Sequence, residues 1–130
     1  MTDDPLVWVA AVLQVLTAAG IAVFWLTWSH EPHEEAWLPR GYAEHERVFV
    51  YPDSLCATLL VVSAVLGVLE LPLAGSLGLV AAGMLLFLGI IDAAYFAQHR
   101  MFARQRGGVV NAGVVVAGLV VAVYLFIVYA

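Results

Sequence analysis

The sequence predicts an all-α fold: an integral membrane, antiparallel bundle of four helices in a single domain covering residues 1–130. Three observations carry this. Hydrophobic residues make up 64% of the chain and charged residues 12%, where a soluble domain is about half apolar and about a quarter charged. Four apolar runs each come close to the roughly 20 residues that a helix needs to cross the hydrocarbon of a bilayer. All five basic residues fall in two of the three connections between those runs, which is how charge is distributed on proteins oriented by a positive-inside bias.

The first run is expected over 6–28. The residues before it are acidic (Asp3, Asp4), not basic as a secretory signal requires, so the run reads as a mature helix. Gln14 is its only strongly polar interior residue. Trp8 near one end and Trp25 and Trp28 near the other suit the two membrane interfaces. Residues 29–51 form the one long polar connection, broken by Pro32, Pro39 and Gly41. Trp37 and Tyr42 are expected to lay part of it on the membrane surface, and residues 44–51 to make one or two turns of interfacial helix.

The second span is expected over 52–71. Pro52 is placed at its first helical position, where the missing N–H is not needed, and Asp53 meets the positive end of the helix dipole. Glu70, Pro72 and Gly75 mark a tight turn. The third span, 76–97, is apolar except for Asp92. Residues 98–108 make a short basic loop, and the fourth span runs over 109–129, opening near Asn111. The first and third connections then share one side of the membrane. They hold Arg40, Arg47, Arg100, Arg104 and Arg106, so that side is expected to be cytoplasmic, with both termini outside and the protein in the plasma membrane.

The net charge of −5 argues against nucleic acid as a partner. The expected partners are the lipid bilayer and, through rows of small residues, a second copy or another membrane protein. Those rows are Ala18 and Ala22, then Gly89, Ala93 and Ala97, then Gly113 and Ala117, then Gly118 and Ala122. The single cysteine, Cys56, permits no disulfide within the chain.

Aligning the spans by depth gathers polar residues on the cytoplasmic side: Asp53, Ser54, Asp92, Tyr95, His99 and Asn111 are candidates for a polar pocket. Asp92 is the centre of interest, because an acid at mid-bilayer costs about 2.5–3.5 kcal/mol on insertion scales. It has two readings. One is a helix-register residue bonded to Asn111, Ser54 or Tyr95, or paired with Arg100 or Arg104. The other is a proton, cation or substrate-orienting site. Asp53 is either a helix-start acid or the second member of a carboxylate pair.

No cofactor is expected from any motif. A divalent metal is the one the residues allow, with His30, His33, Glu34 and His45 as candidate ligands. Their spacing matches no catalytic pattern, and Pro32 interrupts the helix that an H-E-x-x-H site needs. A charged loop solvated by water is the competing reading.

The run Phe49-Val50-Tyr51-Pro52-Asp53, the Gly89, Ala93, Tyr95-Phe96 end of the third span, and Asn111 resemble uncharacterised bacterial four-helix membrane families of the YvaD type. The resemblance departs at the long His/Glu connection and at Asp92. It implies a four-helix bundle without an assigned activity.

Three functions therefore compete. The first is a small binding, accessory or assembly protein with a polar pocket at its cytoplasmic helix ends. The second is a proton- or cation-linked carrier using Asp92. The third is a membrane-interface metal enzyme using the His/Glu loop; on balance the chain reads as a non-enzyme.

Overall fold

The structure, a computed structural model, describes all 130 residues; its regular elements are all helices, with no strand. Five α-helices follow in order: α1 (Pro5–Trp28), α2 (Tyr42–Val48), α3 (Val50–Val68), α4 (Ala74–Gln98) and α5 (Gly108–Tyr129), with one 3₁₀ turn at Arg104–Arg106. Four stretches are long and apolar enough to cross a membrane: α1, α2 and α3 taken together from Tyr42 to Val68, α4, and α5.

Local chemistry sets the ends. Asp4 caps α1 by accepting from the Leu6 N–H at 2.9 Å, with Pro5 as the first helical residue. The second span starts earlier than its expected position at 52. Its helix opens at Val50, and Pro52 is the third helical residue. Pro52 has no N–H to give to Val48, so the helical ladder is interrupted there, and α2 and α3 are separated at Phe49. That span also ends sooner than 71. The Leu71 N–H bonds the Leu66 carbonyl at 2.8 Å while Glu70 takes φ +58°, a left-handed stop usually given to glycine. Arg100, at φ +55°, ends α4 in the same way, with Met101 N–H on the Phe96 carbonyl at 2.7 Å. Gly107, at φ +73°, turns the chain into α5.

α1 packs on α3, α3 on α4, α4 on α5, and α5 returns to α1. Hydrogen bonds show which ends meet. At one end, Thr2 N–H bonds the Val68 carbonyl at 2.7 Å, Trp8 Nε1 donates to the Thr2 carbonyl at 2.9 Å, and Tyr124 Oη donates to the Leu6 carbonyl at 3.0 Å. At the other, Trp25 Nε1 donates to Asp53 Oδ2 at 3.0 Å. The first is called here the terminus end, and the second, where residues 29–49 and 99–107 lie, the loop end.

The packing is inverted in size. Only 25 of the 130 residues are buried, and among them Ala10, Ala18, Ala64, Ala81, Ala82 and Ala122 hold the helices together around Leu60, Leu85 and Leu125. Larger side chains such as Leu16, Val65, Phe87, Ile90, Val116 and Ile127 face outward. Water would not tolerate so large an apolar exterior on a monomer. Close approach at small residues, with bulky ones turned out, is how helices associate in lipid. A groove of about 440 Å³ runs along the outer face of α1 and α3, lined only by hydrophobic residues that include Val12, Leu16, Val65 and Leu69.

Gly89 is internal to the bundle. A methyl added there would stand 3.0 Å from Leu119 Cδ2 of α5, whereas one added at Gly113 meets nothing within 4 Å. Gly89→Leu is therefore expected to destabilise the fold by about 1–3 kcal/mol through overpacking. Gly113→Leu is expected to stay within about 0.5 kcal/mol. Unfolding midpoints in detergent check the pair.

Candidate functional site

The loop end gathers three carboxylates from three elements. Asp53 comes from the first turn of α3, Asp92 from the last two turns of α4, and Glu46 from α2. Their charges act on one another: both Asp92 and Asp53 bear on Glu46, and Asp53 bears on Asp92. Asp53 is held by the Trp25 indole. Glu46 is only 7% exposed and has neither a hydrogen-bond donor nor a cation beside it. Asp92 is half-buried and equally without a donor.

The basic residues stay out of this group. Arg40, Arg47, Arg100 and Arg104 are exposed. Arg106 lies 5.8 Å from the centre of the Trp37 ring and donates to the His99 carbonyl at 3.2 Å. The pairing of Asp92 with Arg100 or Arg104 considered above is not formed.

Aromatic rings pack together at the same end. Trp25 and Trp28 meet edge to face at 5.3 Å, and Trp28 Nε1 donates to Tyr42 Oη at 3.3 Å. His45 stacks flat on Tyr95, with centroids 4.2 Å apart and planes 9° from parallel, and His99 lies against the other part of Tyr95 at 4.4 Å. Trp37, Leu38 and Tyr42 of the long connection pack against Phe96, Met101 and Val115 of the α4–α5 corner. The connection is thus folded over the helix ends; Trp37 and Tyr42 point into the protein, where the sequence suggested the membrane surface.

Of the six pocket candidates, Asp53, Asp92 and Tyr95 come together, with His99 at the edge. Asn111 and Ser54 do not join them. The Asn111 amide donates to the Met101 carbonyl at 2.6 Å and the Arg106 carbonyl at 3.4 Å, so it closes the α4–α5 loop. Ser54 is exposed, and its carbonyl accepts from Thr58 Oγ1.

The metal candidates also separate. His30 and Glu34 are exposed, His33 has its Nε2 2.8 Å from the Trp28 carbonyl and its ring 4.1 Å from Trp28, and His45 is on Tyr95. No three His, Cys, Asp or Glu side chains converge as a metal site requires.

Glu46 is not among the pocket candidates of the sequence; there it reads as one more oxygen donor of the His/Glu connection or as part of a solvated loop, and the break at Phe49 between α2 and α3 leaves no continuous helical face from which to place it beside Asp53.

Trp25→Phe removes the donor from Asp53 and is expected to cost about 1–3 kcal/mol of stability, measurable as a lower unfolding midpoint. Asn111→Ala leaves two loop carbonyls without their donor and is expected to speed tryptic cleavage at Arg104 and Arg106, with the helices intact by circular dichroism. Comparison with protein-family models, with curated proteins and with solved structures finds no match for this chain.

Proposed function

We propose that the protein is a multi-pass plasma-membrane protein, an antiparallel four-helix bundle with both termini outside, whose acidic pocket at the cytoplasmic helix ends takes up a proton. The second sequence reading, a proton- or cation-linked carrier, is thereby preferred over an accessory role. The observation that carries it is Glu46, 7% exposed, at the same end of the bundle as Asp92 and Asp53 and without any balancing cation. Buried charges are normally paired or neutralised. Three acids from three elements have no purely structural need to meet, since one would serve to fix helix register. Intramembrane acids by default mark sites of function.

The orientation rests on the loop end holding all five arginines. The antiparallel arrangement is supported by the end-to-end hydrogen bonds of α1 with α3 and α5. Since the pocket lies at one end only, a carrier also needs a route through the outer half or a second copy of the chain.

Assembly with another helix is a second reading, and one observation favours it. Gly113 is exposed with open space beside it, and Ala117, one turn on, is exposed too. Gly89 no longer belongs to that reading, because it packs inside the bundle on Leu119.

The test is proton flux into vesicles containing the purified protein and a pH-sensitive dye. Asp92→Asn and Glu46→Gln are each expected to lower the flux by about tenfold, equivalent to about 1.4 kcal/mol, with circular dichroism unchanged. Full flux in both variants would refute the carrier reading. A shift in oligomeric state with Gly113→Leu, alongside silent acid variants, would favour assembly.

A further inference from the structure

A second polar group lies at the opposite end of the bundle from the acids. Gln14 of α1 is completely buried. Its Nε2 donates to Ser63 Oγ of α3 at 2.9 Å, and Ser63 Oγ donates to the Ala74 carbonyl of α4 at 2.8 Å. Gln14 Oε1 has no partner, nor does the Tyr129 hydroxyl of α5, and both atoms are fully enclosed.

The backbone makes room for this group. A methyl at Gly78 would stand 2.9 Å from Ser63 Oγ and 3.0 Å from the Tyr129 ring, and one at Gly67 would stand 2.6 Å from the Tyr129 hydroxyl. Gly67 and Ser63 are one turn apart on α3, and Gly78 and Ala74 one turn apart on α4. The Tyr129 ring therefore lies across both glycines, beside the Gln14–Ser63–Ala74 chain. Ser63 Oγ, which accepts from Gln14, and the Tyr129 ring thus both border Gly78, and Gln14 and Tyr129 each bring one unfilled hydrogen-bonding atom to that part of the bundle.

We infer that this part of the bundle binds a water molecule that donates to Gln14 Oε1 and to, or accepts from, the Tyr129 hydroxyl. Enclosed polar atoms are almost always satisfied, and buried waters typically fill this role with two to four partners. Water fits the chemistry because Gln14 Oε1 only accepts while the Tyr129 hydroxyl both donates and accepts. The Asp4 carboxylate is the charge that acts on Tyr129, and a neutral donor such as water is compatible with an acid on that side. The inference is independent of the acidic pocket.

The sign of a stability change tests it. With nothing between the two atoms, Tyr129→Phe deletes an unsatisfied hydroxyl and raises or preserves the unfolding midpoint. With a bridging water, Tyr129→Phe and Gln14→Met each lower it, and the double variant falls no further than the worse single, because either change releases the same water. An unchanged or raised midpoint for Tyr129→Phe, or additive losses in the double variant, overturns the inference. A direct measurement covers the case in which a variant does not fold. In the unmodified protein in lipid bilayers, magnetisation transferred from water to the Gln14 side-chain amide in solid-state NMR is expected within the bundle core, and its absence overturns the inference equally.

Discussion

Everything in this structure follows from an apolar exterior that reverses the usual size rule. Alanine and glycine lie between the helices, and leucine, valine, isoleucine and phenylalanine face out. In lipid, burying a large apolar side chain against another helix gains little, since acyl chains offer the same contacts. What remains is dispersion between backbones that approach closely, together with the few hydrogen bonds that cross between helices. The bonds joining Gln14 to Ser63 and Trp25 to Asp53 are therefore worth more attention here than any single hydrophobic contact.

The polar residues are sorted as well: most collect at the two ends of the bundle, as helices long and apolar enough to cross a membrane require. The terminus end is tied by backbone carbonyls of Thr2, Leu6 and Val68. The loop end is closed by an aromatic cover, with Trp37, Leu38 and Tyr42 packed on Phe96, Met101 and Val115. Beside that cover Glu46 is buried and Asp53 and Asp92 are half-buried, and none of the three is paired with an arginine. The α4–α5 loop is closed by the Asn111 amide and by the left-handed stop at Arg100.

The number, order and type of the long helices are readable from hydropathy alone, because a run of about 20 apolar residues has few alternatives in any solvent. Their ends are less so. The stops at Glu70 and Arg100 use a left-handed conformation that glycine usually signals, and no glycine stands there. At the site, Asp92 stands out because its surroundings are uniformly apolar. Glu46 does not, since it sits among Glu44, His45 and Arg47 and only folding reveals that it points inward. Asn111 shows the opposite failure. Its depth matched the acids, but an amide at a helix start finds nearby loop carbonyls before it finds a distant carboxylate. Depth along a helix can be counted from sequence; the direction around the helix cannot be when every face is apolar.

The most direct test of the account is the accessibility of spin labels to oxygen, which partitions into lipid, and to a water-soluble relaxation agent. Labels are placed at Val15, Leu86 and Val116, which face outward, and at Ala36 and Gln105 in the loops, with the protein in bilayers. The account predicts high oxygen and low aqueous accessibility at the first three positions and the reverse at the last two. Aqueous accessibility at Val15, Leu86 and Val116 equal to that of the loops would contradict it.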